Sequence, residues 1–193
     1  GGCITTNDKN FAEKAKLLRN HGMIKDKKKM LNLPEKNPLW YYEMHELGWN
    51  YRADEISCSL GLSQLKRLNK NLKKRRILAS KYFKYLSDTK NLSFTSLEKN
   101  INKHGWHLFS VLINFDKINI TRGSFMQKLA SFGIGSQVHY IPLFKQTYYK
   151  KSQVNKLDGA IKYYNKTISL PLYVQLNVRD IKFISSKVKE IIT

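Results

Sequence analysis

The chain contains little cysteine and no long apolar run. Its two cysteines, Cys3 and Cys58, are too few and too far apart for a disulfide framework or a zinc site, so both are expected to be small core residues in a reducing compartment. No segment approaches the roughly 18 apolar residues of a membrane span, and no signal-peptide pattern opens the chain. These absences favour a cytoplasmic protein, and an apolar fraction of 41% can build a packed core.

Acidic residues are also scarce, because 14 Asp and Glu face 35 Lys and Arg and leave a formal net charge of +21. This balance is typical of nucleic-acid-binding proteins. Most of the basic residues are lysines, however, and they are spread from Lys9 to Lys189 rather than collected in one stripe. A solvated basic surface is therefore the preferred interpretation, and a basic nucleic-acid-binding module stays open as the alternative function.

Two helices are predicted in the first half of the chain. Asp8 is a candidate cap for a helix that Gly22 ends, and Asp54 is a candidate cap for a long helix that runs to about Leu86. Residues 25–45 fit no period and are expected to form an exposed loop. The apolar stripe of the long helix is expected to face a core, and its members are Leu65, Leu68, Leu72, Ala79, Tyr82 and Leu86.

The second half of the chain alternates between strand and helix signals. Residues 107–115 predict a buried strand, and Thr121 is a candidate cap for the next helix. Short strands are expected at residues 137–140 and 167–170, before a last helix that begins with a capping box. This order of elements indicates a small α/β layer.

The sequence has none of the common catalytic motifs. No nucleophile elbow, phosphate-binding loop or dinucleotide fingerprint is present. Of the five histidines, only His104 and His107 are close in sequence, and on a strand their rings would point to different faces. A metal site is therefore not expected.

The first of two polar clusters comprises Asn50, Tyr51 and Arg52, which precede the long helix. The amide of Asn and the guanidinium of Arg are donors that suit phosphate oxygens. The alternative is structural: Asn50 stabilises a turn, and Arg52 pairs with Asp54 or Glu55.

The second polar cluster comprises Gln137, Val138, His139 and Tyr140, shortly before Pro142. An amide and polar rings that alternate on a short strand could line a pocket. An edge strand that carries ordinary surface groups is equally compatible with this pattern.

At these clusters the sequence resembles the DegT-type (DegT/DnrJ) nucleotide-sugar aminotransferases, which depend on pyridoxal phosphate. The unbroken QVHY at residues 137–140 is most similar to enzymes that aminate C4 of a UDP-linked 4-keto sugar in pseudaminic acid synthesis, the UDP-4-amino-4,6-dideoxy-N-acetyl-beta-L-altrosamine transaminases. The similar segments occur in the family's order: GGCITTND at 1–8, RNHG at 19–22, LGWNYRADEISCSLGLSQLKRL at 47–68 followed by Arg75 and Arg76, and GIGSQVHYIPLF at 133–144 with Tyr148 downstream.

The resemblance implies the fold class. It predicts an α/β chain that forms the C-terminal portion of an aspartate-aminotransferase-like (fold type I) enzyme. Residues 1–54 would be a remnant of the large domain that binds pyridoxal phosphate. Residues 55–87 would be a long connecting helix, and residues 88–193 a small α/β domain.

The resemblance also implies an activity and a set of site residues. The parent enzyme would transfer an amino group from glutamate to a keto carbon, C4, of a nucleotide-linked deoxy sugar for surface glycan synthesis. It would be a homodimer with shared active sites, in which Asn50 and Arg52 bind the cofactor phosphate of the neighbouring subunit. The sugar-nucleotide site would be lined by Gln137, Val138, His139 and Tyr140.

No catalytic residue is expected within the chain. The family's Schiff-base lysine precedes the glycine pair that matches Gly1 and Gly2, and Lys9 follows that pair. The resemblance therefore implies that the chain is incomplete and inactive by itself. A non-catalytic remnant that only dimerises stays open as a further interpretation.

Overall fold

The computed structural model describes residues 2–36, 38–95, 102–151 and 157–193. Contacts between Cα atoms divide the chain into two compact units, Gly1–Lys66 and Arg67–Thr193. The boundary between the units falls inside the long helix. The domain limits proposed from the sequence, at residues 54 and 87, stay a prediction.

The first unit is built around one helix and a short strand pair. It contains α1 (Lys9–Leu18), the antiparallel strands β1 (Met23–Ile24) and β2 (Glu43–Met44), and the first turns of α2 (Glu55–Leu86). The carboxylate of Asp8 caps α1, as predicted, because it accepts hydrogen bonds from the first free backbone N–H groups. The stretch that was expected to be a loop is mostly irregular, but β2 lies within it and pairs with β1.

Helix α2 confirms the predicted long helix, but only part of its apolar stripe is buried. The buried residues of α2 all lie near its C-terminal end: Leu78, Ala79, Tyr82, Phe83 and Leu86. The prediction that Leu65 and Leu68 face a core is wrong, since they are 64% and 44% exposed. Helical periodicity identifies an apolar face, but burial of that face also requires packing partners. Within the described residues, the core cluster includes α2 only from Leu78 onward.

The second unit is a three-stranded antiparallel sheet with helices. Its strands are β3 (Leu92–Phe94), β4 (Phe109–Ile113) and β5 (Thr167–Leu170), in the order β3-β4-β5. The helices that accompany the sheet are α3 (Arg122–Ser131), α4 (Asp158–Lys166) and α5 (Val178–Ile192).

The predicted caps of the second unit are confirmed. The side chain of Thr121 accepts from the N–H of Ser124 at the start of α3. Asn177 and Asp180 form a reciprocal capping box at the start of α5.

The sequence analysis missed two elements of the second unit, β3 and α4, and it placed a strand at residues 137–140. That strand is wrong, because within the described residues the segment makes only an isolated bridge between Gln137 and Ser169.

The hydrophobic core lies in the second unit. Its fully buried members include Tyr82 from α2, Phe109 from β4, Phe125 from α3 and Ile181 from α5. Stacking and edge-on ring contacts join the aromatic members, as between Tyr82 and Phe109 at 4.5 Å. This core fixes the sheet on which the candidate site of the second unit is built.

The prediction that both cysteines are core residues is wrong, since Cys3 and Cys58 are exposed. Their apolar neighbours Ile4 and Ile56 are exposed as well, at 68% and 83%. An apolar neighbourhood in sequence therefore did not produce burial, because the first unit contributes no residue to the core cluster of the described chain.

None of the helices in the described residues is long and apolar enough to cross a membrane.

Candidate functional site

The first candidate site is a turn that is tied to the C-terminal end of α1. Three backbone hydrogen bonds join the segments: His21 N–H to Trp49 O at 3.1 Å, Trp49 N–H to Leu18 O at 2.9 Å, and Tyr51 N–H to Arg19 O at 3.0 Å. Asn20 and Asn50 form the corresponding antiparallel bridge. The RNHG and LGWNYR segments, some thirty residues apart in sequence, are therefore one structural unit, which we call the motif junction (residues 18–22 and 46–52).

Two glycines allow this close approach. Gly22 adopts a φ of +68°, a region that L side chains rarely occupy, and a Cβ there would collide with the carbonyl group of Glu46. A Cβ on Gly48 would lie 2.6 Å from the carbonyl oxygen of Leu18. Side chains at either position would separate the two segments.

The side chains of Asn50 and Arg52 are exposed on this junction. The guanidinium of Arg52 donates to the side-chain oxygen of Asn20. The structural alternative, in which Arg52 pairs with Asp54 or Glu55, therefore does not describe this arrangement. The Asp54 carboxylate instead accepts from the backbone N–H and hydroxyl of Ser57, and these bonds hold the pKa of Asp54 below its ordinary value.

A buried carboxylate organises the loop before the junction. Glu43 accepts from His45 Nε2 at 2.6 Å, from Leu31 N–H at 2.8 Å and from Asn32 N–H at 2.6 Å. The His45 bond and then the two backbone bonds hold the pKa of Glu43 below its ordinary value of 4.5. Sequence reasoning missed this carboxylate, because no motif links Glu43 to its partners. His45 follows it by two residues, whereas Leu31 and Asn32 precede it by twelve and eleven.

The second candidate site is a cavity of about 790 Å³ in the second unit. Apolar side chains form much of its wall, and a few polar groups join them, as is usual in small-molecule sites. Gln137 and His139 from the predicted cluster contribute to this wall, together with Ser169 from β5.

Hydrogen bonds hold His139 at the wall of the cavity. Its Nδ1 is 2.8 Å from Oγ of Ser169, and that oxygen is 3.0 Å from Oγ of Ser110 on β4. Gln137 is held by its backbone, which exchanges two hydrogen bonds with Ser169. Sequence reasoning missed Ser110 and Ser169, which carry no motif of their own, and only the register of β4 and β5 pairs them.

The other two members of the predicted cluster lie elsewhere. Val138 is half-buried and packs against the hydrophobic core. Tyr140 is 73% exposed, and its ring meets that of His139 edge-on at 4.6 Å. Within the described chain, the cavity wall therefore brings together Gln137 and His139, and it includes neither Val138 nor Tyr140.

Arg75 and Arg76, which follow the long motif, bind backbone carbonyl groups. Arg75 donates to the carbonyl oxygens of Trp106 and His107, and Arg76 donates to that of His104. Nδ1 of His104 accepts from the N–H of Trp106 at 2.8 Å. The described residues contain no group of three or more histidine, cysteine or acidic side chains that could hold a metal ion.

Comparison with known proteins identifies the family. The model of the DegT/DnrJ/EryC1/StrS aminotransferase family matches residues 1–189. The chain belongs to this family.

Individual members of the DegT/DnrJ/EryC1/StrS family agree with this assignment. A UDP-4-amino-4,6-dideoxy-N-acetyl-beta-L-altrosamine transaminase of Campylobacter jejuni is 35% identical over 186 residues, which cover 95% of this chain and 46% of that protein. The structure of Helicobacter pylori PseC, an aminotransferase of pseudoaminic acid biosynthesis, matches with a TM-score of 0.82 and 30% identity, covering 97% of this chain and 47% of PseC. The chain thus spans about half the length of the relatives that it matches.

A more distant structure shows the same fold. Spr1654 of Streptococcus pneumoniae, in its PLP form, matches with a TM-score of 0.78 and 21% identity, covering 98% of this chain and 45% of Spr1654. The predicted fold class, part of an aspartate-aminotransferase-like α/β enzyme, is confirmed. The matches support the aminotransferase prediction and give no support to the nucleic-acid-binding alternative.

Proposed function

We propose that this chain is part of an enzyme that transfers an amino group from glutamate to C4 of a nucleotide-linked 4-keto deoxy sugar, for surface glycan synthesis in the cytoplasm. The family match carries this proposal, because it extends over residues 1–189. Relatives of the chain that are named as altrosamine transaminases support the choice of substrate. Of the site residues proposed from the sequence, Asn50 and Arg52 lie on the motif junction, and Gln137 and His139 lie at the cavity.

The motif junction suits the phosphate group of pyridoxal phosphate. Asn50 and Arg52 are exposed on one turn, whose backbone is fixed by hydrogen bonds to α1. An amide and a guanidinium provide N–H donors, and Arg52 donates to the neutral side chain of Asn20, which leaves the positive charge of Arg52 available to a phosphate. These residues would hold the phosphate, and the bound cofactor would supply the carbonyl that takes up and releases the amino group.

The cavity is the candidate location for the sugar nucleotide. His139 and Gln137 would orient sugar hydroxyls or phosphate oxygens at its wall, while its apolar side chains would exclude water. A formal net charge of +21 would favour the approach of a substrate that carries phosphate groups.

A second copy of the chain is the proposed partner of the first unit. Ile56, Leu60 and Leu65 of α2 are each more than 60% exposed, as are Trp40 and Leu47 from the residues before it. Exposed apolar side chains in such number are typical of surfaces that bind another protein. A homodimer with shared active sites would place Asn50 and Arg52 at the cofactor of the neighbouring subunit.

Cofactor retention by the full-length protein tests the role of Asn50. We expect Asn50→Ala to weaken retention of pyridoxal phosphate about tenfold, because one charge-assisted hydrogen bond to the phosphate is lost. Retention is measured by the cofactor's absorbance after dialysis. Asn165→Ala is the matched control, since Asn165 is also exposed but lies on α4.

The outcomes separate the role of Asn50 from the activity. Equal retention by the native protein and Asn50→Ala would remove Asn50 from the phosphate site. Retained cofactor without transfer of an amino group from glutamate to any UDP-linked 4-keto sugar would contradict the proposed substrate class.

A further inference from the structure

Ser169 lies between two polar side chains at the wall of the cavity. Its hydroxyl contacts Nδ1 of His139 at 2.8 Å and the hydroxyl of Ser110 at 3.0 Å. Ser169 itself is only 5% exposed, so water has little access to this hydroxyl. The three groups form a short hydrogen-bonded chain that leads from β4 to the imidazole.

The sheet fixes the positions of both hydroxyls. Ser110 and Ser169 are register partners on the antiparallel strands β4 and β5. The backbone N–H and C=O of Ser169 are both used by Gln137, at 2.8 and 3.2 Å. Ser169 therefore exchanges no backbone hydrogen bonds with Ser110. In antiparallel sheets, the side chains of such a non-hydrogen-bonded pair lie closer together than those of a hydrogen-bonded pair.

The number of available protons selects one direction for the chain. If Nδ1 of His139 donated to Ser169, Ser169 would donate to Ser110, and the Ser110 proton would have no acceptor among the described residues. In the opposite direction, Ser110 donates to Ser169 and Ser169 donates to Nδ1, so both hydroxyl protons are used. This second direction uses both hydroxyl protons within the fold, whereas the first would leave the proton of the half-buried Ser110 to solvent.

We propose that Ser110 and Ser169 are positioning residues that hold the neutral His139 imidazole in the tautomer with its proton on Nε2. Nδ1 then accepts from Ser169, and Nε2 has no hydrogen-bond partner among the described residues. The bond at one ring nitrogen sets the role of the other, so His139 presents an N–H donor at the cavity.

An N–H donor at this position selects oxygen acceptors. Phosphate oxygens and sugar hydroxyls are such acceptors, and a nucleotide-linked sugar carries both. The identity of this ligand rests on the proposed function, whereas the tautomer of His139 depends only on the hydrogen bonds of this chain.

Nitrogen NMR of the full-length protein labelled with [15N]histidine tests the tautomer without any sugar nucleotide. At a pH where the imidazole is neutral, we expect the His139 signals to show an unprotonated Nδ1 and a protonated Nε2, with His139→Gln used to assign them. Ser169→Ala and Ser110→Ala should each shift the signals toward a mixture of tautomers. Ser185→Ala is the matched control, because Ser185 is also buried but its hydroxyl has no partner among the described residues.

A protonated Nδ1 in the native protein, or His139 signals that neither serine variant changes, would overturn the proposal. Ser110→Ala provides the same readout should Ser169→Ala fail to fold, because it removes only the distant donor. Binding of UDP-N-acetylglucosamine gives a second measurement: Ser169→Ala should raise Kd about fivefold and Ser185→Ala should not. An unchanged Kd in Ser169→Ala would refute the ligand contact, whereas a native protein that has the expected tautomer but does not bind this probe would count against the proposed function alone.

Discussion

Gly48 packs directly against the end of α1, where a Cβ on it would lie 2.6 Å from the carbonyl oxygen of Leu18 and 2.8 Å from the carbonyl carbon of His21. These distances are shorter than real Cβ contacts. Together with Gly22, Gly48 thus lets the LGWNYR and RNHG segments share backbone hydrogen bonds and present Asn50 and Arg52 on one surface.

Replacing Gly48 with alanine should open the motif junction. We expect Gly48→Ala to destabilise this unit by about 3 kcal/mol, because the clash involves backbone atoms that cannot move without breaking hydrogen bonds. Amide hydrogen exchange at His21, Trp49 and Tyr51 reports on those bonds. Gly61→Ala is the control: Gly61 lies in α2 with nothing within 4 Å of an added Cβ, so alanine should stabilise the helix by about 1 kcal/mol. Equal protection of the three amides in Gly48→Ala and native protein would contradict the steric argument.

Acid should release the loop that Glu43 holds. The pKa of Glu43 is lowered in the folded chain, chiefly by the bond to His45 and then by the N–H groups of Leu31 and Asn32. A lowered folded pKa means that the contribution of Glu43 to stability is complete above its ordinary value of 4.5, and is lost as the pH falls through the folded value.

Amide chemical shifts of Leu31 and Asn32, followed from about pH 6 to about pH 3, measure this release. Both signals should change together, with a midpoint below 4.5. Glu43→Gln keeps the shape of the side chain but removes the titrating group, and the shifts should then be independent of pH in this range. A midpoint above 4.5 in the native protein would contradict the expected direction.

Removing the hydroxyl of Tyr82 should weaken the wall of the cavity. Tyr82 is fully buried, and its hydroxyl donates to the carbonyl oxygen of Pro171 at 2.8 Å. Burial, and then the charges of Tyr173 and Asp180, raise the pKa of Tyr82, so the phenol keeps its proton and remains a donor. Tyr82→Phe leaves the Pro171 carbonyl without this partner and should cost about 1–2 kcal/mol of unfolding free energy.

Urea unfolding measures the effect of Tyr82→Phe, with Tyr85→Phe as the control. Tyr85 lies on the same helix and is half-buried, but its hydroxyl makes no hydrogen bond within the described part of the chain. We expect Tyr85→Phe to leave the unfolding free energy nearly unchanged. A loss as large as that in Tyr82→Phe would show that removing a phenol hydroxyl costs stability even without a partner, and would contradict the role assigned to the bond between Tyr82 and Pro171.

The sequence alone predicted what depends on local chemistry. The caps at Asp8, Thr121 and Asn177 were found because a capping side chain binds N–H groups within three residues of itself. The core face of α5 was found because an amphipathic helix repeats its apolar residues every three or four positions. The family could also be recognised, since its motifs are short and stand in a fixed order.

Only the tertiary structure decided which of these residues come together. The bond between Arg52 and Asn20 and the pairing of Ser169 with both Ser110 and His139 join positions about 30 to 60 residues apart, and no local rule specifies them. Burial was decided in the same way: Leu68 and Leu78 lie on one helix, yet only Leu78 reaches the core. Caps and periodicity follow from hydrogen bonds within one turn of chain, whereas contacts across the fold depend on strand register and on packing partners that a single segment does not contain.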